Sequence, residues 1–512
     1  MTAQALAQGP RPEAPPVLLG GPAALAESAW MGAAQASDVL EPLRIAAPRW
    51  RPRDIRLPPL GALLTRELTV AEASVVLMAS FFTSALLGAV RQVLFNAQFG
   101  AGMEASAYYA AFRLPDTLFS LIAGGALSSA MIPVLLGVRL QEGEAAGERL
   151  VRLVLTTLMA AFAALVLLAE VLAPVFVRNV LAPGFDEPTA ALTVSLTRLM
   201  LIQPLILAVG SVATAVLNSR NQFALTALSI ASHNIALLAG ITAARLVPGL
   251  GIYGPALGVV GGGVLQVAIL LPGLAARGFR FRPLWAPFDA RLREIVRLLI
   301  PNGLSVGVNY AGFILDTAFA SRAQGAALAA ITNAWLLVGL PIALLGQAVG
   351  QSAFPRLAAH AEAGEWREMR RALLRALGAA VALAVPALLG LIVLGRVVIR
   401  VLFERGRFDT AAGDLTYLAL VAYAAALPFY VGTEVVSRGL IALRDTRTPL
   451  LTNMLQIAGR AAILALFTPR FGLVAIPAAF AITSAAETLI LATVLLLRLG
   501  RRVAVPLAAI SP

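Results

Sequence analysis

The sequence predicts an all-α integral membrane protein, with about twelve transmembrane helices in two pseudo-symmetric six-helix lobes. Three observations predict it. Hydrophobic residues make up 59% of the 512 and charged residues 13%, where a soluble domain carries about a quarter charged residues. Apolar stretches that reach or exceed the ~20 residues of a bilayer crossing recur along most of the chain. One of them also has a counterpart. FRLPDTLFSLIAGGALSSAMIPVL (Phe112–Leu135) is echoed by LPIALLGQAVGQSAFPRL (Leu340–Leu357). Each enters on Leu-Pro, runs through small residues and leaves on Pro-X-Leu, as an internal duplication would.

Residues 1–65 are rich in Ala, Pro and Arg without sustained periodicity, and read as a disordered cytoplasmic extension. No basic segment followed by an apolar run and a cleavage site marks a signal peptide. The apolar stretches then follow in order: Val70–Phe95, Ala105–Val138, Val151–Val177, Leu192–Leu217, Phe223–Ala244 and Tyr253–Leu274 form a lobe at 66–276. A basic linker at 277–294, with Pro283 and Pro287, separates them from Ile295–Ala320, Ala326–Leu357, Ala372–Phe403, Leu415–Leu443, Leu450–Phe467 and Leu473–Leu497, the lobe at 295–498. A short tail occupies 499–512. Stretches longer than a minimal span predict tilt or kinks.

All 40 basic residues are arginine, and the formal net charge is +13. The arginines fall in short gaps between apolar runs, where topology and anionic lipid account for them, so nucleic acid is not an expected partner. They concentrate in alternate gaps, among them Arg277–Arg297 and Arg356–Arg375. That excess places both termini in the cytoplasm of a multi-pass protein, with the loop after the ninth stretch running against the trend. The absence of cysteine excludes disulfides, thiolate metal sites and cysteine nucleophiles. His233 and His360 lie too far apart in sequence to suggest a metal pair. Neither a Walker motif, a nucleophile triad nor a two-carboxylate hydrolase site is present, so the chain does not read as an enzyme.

Short motifs repeat in order between the halves. LAPGF (Leu181–Phe185) follows the third stretch and LFERGRFD (Leu402–Asp409) the ninth; LNSRNQF (Leu217–Phe223) follows the fourth and LRDTRTP (Leu443–Pro449) the tenth. Six crossings return the chain to its starting side, so the halves are parallel repeats. A substrate site between such repeats is the expected arrangement in a transporter.

LAPGF, LNSRNQF leading to Asn234, GGVLQ (Gly262–Gln266), ILDTAFAS (Ile314–Ser321), the Leu340–Leu357 stretch and ALRDTRTP (Ala442–Pro449) together resemble the MurJ/MviN family over about Val70 to Leu497. That family comprises lipid II flippases of the MOP superfamily, which also holds MATE exporters and polysaccharide-lipid flippases. The resemblance implies a bacterial inner-membrane flippase. It would move the lipid-linked peptidoglycan precursor lipid II from the inner to the outer leaflet by alternating access, in cell wall biosynthesis. The partners implied are a lipid-linked anionic substrate, membrane lipids and cell-wall synthesis proteins. The other readings are a flippase for another polyprenyl-linked saccharide, a MATE-like drug or ion antiporter, and a non-transporting scaffold for envelope synthesis. Family cavity arginines lie on the first, second and eighth spans. Arg91 matches one of them, whereas other signature positions hold Ala85, Phe119 or Ser120, Gly124 and Trp335-Leu336. The chain also ends after twelve stretches, where many family members have fourteen spans.

The candidate substrate-binding residues are Arg91, Arg113, Asp116, Asn302 and Asn309. A pyrophosphate headgroup needs positive charge in a wet cleft, and arginine meets phosphate with a planar fork of donors. Arg91 equally suits an arginine snorkelling to the interface. Arg113 and Asp116, three apart, equally suit a self-neutralised pair on one helix face. Asn302 and Asn309 line a cavity or bridge helices. Asp316 has no local cation, yet a bare carboxylate in low dielectric is costly. It matches a seventh-span aspartate that helps hold the ion in sodium-coupled relatives, which leaves Na+ or H+ coupling open and implies no other cofactor. Arg460 falls near the family's polar cation ligand, and either supplies Asp316 with a fixed positive charge or is an unrelated buried charge. Glu434 and Arg438, spaced i,i+4, most simply pair. Glu487 has no partner in sequence. His233 reads as a packing residue.

Overall fold

A computed structural model describes residues 66–504 apart from 124, 125, 277, 278, 280, 281 and 324. The extension expected at 1–65 lies outside the described residues. The described residues fall within one compact unit.

Among the described residues there are sixteen α-helices and no strand. They are α1 Val70–Phe99, α2 Met103–Ala123, α3 Ala126–Glu142, α4 Glu144–Phe176, α5 Glu187–Met200, α6 Ile202–Asn218, α7 Phe223–Leu246 and α8 Tyr253–Ala275, followed by α9 Ala290–Arg322, α10 Ala327–Pro341, α11 Gln347–Glu362, α12 Trp366–Leu402, α13 Thr410–Ala424, α14 Leu427–Ala442, α15 Arg447–Phe471 and α16 Ala475–Ala504. The twelve apolar stretches map onto them with interruptions among the described residues in the fourth (α5/α6), eighth (α10/α11) and tenth (α13/α14). The fourth and tenth are corresponding positions of the two halves, so the duplication extends to a place where the helices break. The eighth breaks through a π-helical turn, Ile342–Gly346, directly after Pro341. Such a turn is a frequent mark of a functional site. Among the described residues, eight stretches qualify as crossings by length and apolarity, and nine if the bent pair α13–α14 is counted as one. That measure does not establish the count of twelve.

Local chemistry sets the helix ends. Thr69 and Glu72 close a capping box at the start of α1, and Gly100 ends that helix at φ 67°. Asp289 caps α9 by accepting from the amides of Arg291 at 2.9 Å and Leu292 at 3.3 Å. This cap starts α9 inside the linker expected at 277–294. The linker itself is packed down, with the Leu284 amide donating to the Thr156 hydroxyl at 3.0 Å. The tail boundary at 498 likewise falls inside α16. Within the first half α7 and α8 approach so closely that a Cβ on Gly240 would meet the Gly254 carbonyl oxygen at 2.4 Å. Only glycine permits that contact.

The core is divided unevenly between the two ends of the molecule. At one end a single cluster joins both halves, including Phe95 and Phe99 of α1, Leu237 of α7, Ile331 of α10, Phe403 and Phe408 after α12, and Phe480 of α16. At the other end the core splits into two clusters. One is built on α3, α4, α6 and the start of α9 (Leu127, Met131, Leu153, Val212, Leu292), the other on α11, α12, α14 and α16 (Leu357, Leu373, Val435, Leu495). The halves are therefore welded through one shared core at one end, while at the other the start of α9 packs into the first half's cluster and the second half's α11, α12, α14 and α16 keep their own.

Candidate functional site

Where the halves meet, a cavity of about 170 Å³ opens beside the shared core. It is lined by Arg91 and Gln92 of α1, Tyr109, Arg113 and Asp116 of α2, and Thr332 of α10, among others. Arg91 Nη1 donates to Asn234 Oδ1 at 3.3 Å, and Asn234 in turn donates to the Ser84 hydroxyl at 2.9 Å. Arg113 Nε donates across the interface to the Thr317 hydroxyl of α9 at 3.2 Å, and its guanidinium lies 5.4 Å from the Phe313 ring centre. No ion pair between Arg113 and Asp116 is formed among the described residues, although the spacing allowed one. Thr317 and Phe313 draw the guanidinium toward the second half, and the Tyr310 hydroxyl reaches Asp116 instead. Both arginines thus reach the cavity with neutral hydrogen-bond partners, and Asp116 is a carboxylate lining the same cavity.

The remaining candidates belong to the second half. Asn309 accepts from Asn453 at 3.2 Å and lines a separate cavity of about 230 Å³ that also holds Glu434, Arg460 and Glu487. Asn302 lies on α9, and its side chain is outside the described residues. Arg460 donates to Asp316, joining α15 to α9 through two side chains each 6% exposed. The Arg460 guanidinium also lies 4.8 Å from the Phe480 ring centre. Glu434 and Arg438 approach to 4.0 Å. Glu487 is buried and receives a long 3.5 Å contact from the Thr452 hydroxyl. His233 packs against Gly262, where a Cβ would meet its Nδ1 at 2.5 Å.

Two features escaped the sequence. The first is a buried polar network between the halves. Asn333 Oδ1 on α10 accepts from Gln92 at 2.8 Å and from Asn96 at 2.9 Å, both on α1, and the Tyr109 hydroxyl donates to Asn96 Oδ1 at 3.2 Å. Asn96 and Asn333 are fully buried. The signal available was an isolated amide in each of two apolar runs, since such a group needs a partner inside a membrane. The second is a reciprocal clasp. The loop after α12 lies on the α1–α2 turn: the Arg407 amide donates to the Ala97 carbonyl at 2.8 Å, and Arg407 pairs with Glu104 at 3.2 Å. A Cβ on Gly100 would meet the Arg407 carbonyl at 2.6 Å. The loop after α4 repeats this on the α9–α10 turn, with the Gly184 amide donating to the Ser321 hydroxyl at 3.0 Å. The repeated motifs LAPGF and LFERGRFD are these two loops, each fastened to the opposite half.

Two parallel helical repeats around a charged cavity, closed at one end, define a multi-pass membrane transporter. The family model for the lipid II flippase MurJ matches residues 95–510. The chain belongs to that family. It is 30% identical over 383 residues to a lipid II flippase MurJ of Burkholderia cenocepacia, covering 73% of this chain and 74% of that one. It is 28% identical over 391 residues to a probable lipid II flippase MurJ of Rhizobium tropici, covering 75% and 73%. Among solved structures, a lipid II flippase MurJ in an inward closed conformation superposes with a TM-score of 0.71 at 22% identity, over 82% of this chain and 87% of that one. A MATE multidrug transporter in an inward-facing conformation gives 0.70 at 14% identity, over 84% and 98%. These likenesses place the fold among MurJ and MATE transporters.

Proposed function

We propose that this protein flips lipid II, carrying the headgroup through the central cavity by alternating access of its two halves. The observation that carries the reading is the pair Arg91 and Arg113. The two arginines converge on one cavity between the halves, and both are held by neutral partners. A diphosphate passing between leaflets needs such cationic donors, and arginine supplies them in a fixed fork. The welded end supplies the second requirement, a gate closed on one side. The arginine distribution supports a cytoplasmic location for both termini, which makes the arginine-rich end opposite the weld the cytoplasmic one. Relatives bearing the name lipid II flippase support lipid II over other polyprenyl-linked saccharides. Transport, rather than bond-making chemistry, is the activity of this family.

The test is complementation of a bacterium depleted of its own lipid II flippase, scored by lipid II accessible on the outer leaflet. Rescue by the wild-type chain and its loss with Arg91→Ala and Arg113→Ala is the expected result. An inserted, stable protein that fails to rescue would overturn the reading.

A further inference from the structure

We infer that two arginines at the arginine-rich end of the first half form a binding site for the phosphate of an anionic phospholipid. Arg139 lies near the end of α3 and Arg220 just after α6. Both converge on one carboxylate oxygen, Oε2 of Glu144, the first residue of α4. Arg220 Nη2 donates to it at 2.6 Å, and Arg139 Nε stands 3.5 Å from it without a hydrogen bond. Arg139 Nη1 donates to the neutral Ser219 hydroxyl at 2.8 Å. Glu148 borders the same cleft, but Arg152 pairs with it at 3.1 Å. Two guanidiniums therefore share one carboxylate. Helix α4 begins here on Gly143, with no side chain capping its first amides, and those amides add to the positive field.

Burial decides which member of this cluster a ligand can replace. The Arg139 and Arg220 side chains are 8% and 22% exposed, whereas Glu144 is 64% exposed. The corresponding loop of the second half is built the other way round. There Asp445 is 15% exposed and Arg498 44%, and Thr448 donates to Asp445 through its amide at 3.0 Å and its hydroxyl at 2.5 Å. An exposed partner contributes little and exchanges readily with other ions. In the first half that partner is the anion, so the site is open to an anionic ligand. Position selects a lipid. Two stretches long and apolar enough to cross a bilayer, Glu144–Leu181 and Glu187–Asn218, start and finish at this cluster, which sets it at a membrane surface among lipid headgroups. By the proposed orientation that surface is the cytoplasmic one, where anionic lipids collect around basic segments. The arginines share a cleft of about 20 Å³ with Val151, Leu217, Leu274 and Phe279. It takes about one water, so the phosphate stands in place of the Glu144 carboxylate at its mouth, beside apolar side chains that suit a lipid and not a soluble anion.

The test uses the full chain, purified and delipidated in detergent, and reads binding and thermal protection as phosphatidylglycerol, phosphatidylcholine or inorganic phosphate is titrated in. Phosphatidylglycerol should bind at least fivefold more tightly than phosphatidylcholine. Arg139→Gln and Arg220→Gln should each weaken it at least fivefold. Glu144→Gln removes the competing carboxylate and should tighten it severalfold, which a purely structural ion pair does not do. Arg149→Gln makes the same change of charge at an exposed neighbour and should leave binding unchanged. If Arg139→Gln fails to fold, Arg220→Gln and Glu144→Gln decide. Equal binding of the two lipids, equal weakening by Arg149→Gln, or unchanged or weaker binding in Glu144→Gln would overturn the proposal. So would protection by inorganic phosphate equal to that by phosphatidylglycerol, which would make the ligand a soluble anion.

Discussion

The two halves share a fold and handle buried charge in opposite ways. In the first half Arg91 and Arg113 border a cavity with an amide and a hydroxyl as partners. In the second half Asp316 and Arg460 pair with one another, both nearly buried. Trp335 fills the neighbouring space in edge contact with Phe313, Tyr423 and Phe480 at 5.3–5.6 Å between ring centres. The corresponding loops, by contrast, both carry ion pairs: Arg220 with Glu144 at 2.6 Å in the first half, and Asp445 with Arg498 in the second. Neutral partners leave a cation available to a ligand, whereas an ion pair consumes it. One half is therefore equipped to bind and the other to hold shape.

The sharpest way to break this comparison is Arg460→Ala. It leaves Asp316 buried without its cation, a loss of about 3–5 kcal/mol. The variant should unfold at a markedly lower temperature and should regain stability with added Na+ or at lower pH, where a cation or a proton replaces the guanidinium. Unchanged dependence on both would show that the pair does not substitute for an ion. The double variant Asp316→Leu, Arg460→Met should recover most of the stability, because apolar replacement of a buried pair is often neutral. Next in size are Arg91→Ala and Arg113→Ala. Losing a charge-assisted contact worth about 1.5–3 kcal/mol should slow flipping more than tenfold while thermal stability barely moves. A fall in stability equal to that of Arg460→Ala would erase the distinction between the halves.

Asn333→Leu comes third. It strips Gln92 and Asn96 of their shared acceptor at the welded end, at about 0.6–1.7 kcal/mol for a hydrogen bond within a membrane. Because the chain contains no cysteine, one cysteine at Thr332 reports directly on access to the cavity, and its labelling from the clasped end should rise severalfold in the variant. The smallest effect belongs to Asp445. Partial burial raises its carboxyl, but the Thr448 hydroxyl and amide and the Arg498 guanidinium outweigh this, and the net pKa lies below the usual carboxylate range. The stabilisation is fully present above the unfolded value of about 3.9 and disappears as pH falls through the folded one. Asp445→Asn should therefore lower the melting temperature at pH 6, and the gap to the wild type should close on acidification below about pH 4.

The Asp316–Arg460 contact was legible because either charge alone is intolerable in an apolar helix, so each announces the need for the other. The Gln92–Asn96–Asn333 network carries no net charge and made no such demand. Spacing left the Arg113–Asp116 pair open, and spacing was a poor guide: a helix surface brings residues three apart near each other, but a hydroxyl on another helix won the guanidinium. The repeated loops were visible as a pattern, while their exchange between halves was not.

Composition and apolar length by themselves determined a helical membrane protein. The recurrence of Leu-Pro entries and loop motifs determined its duplication, because lipid tolerates few backbone arrangements and each leaves a mark along the chain. Which charges face a cavity, which are consumed in pairs, and which end of the molecule is closed were decided only by tertiary structure. Those outcomes depend on contacts between residues more than two hundred positions apart, such as Gln92 with Asn333, and no periodicity along a sequence records them.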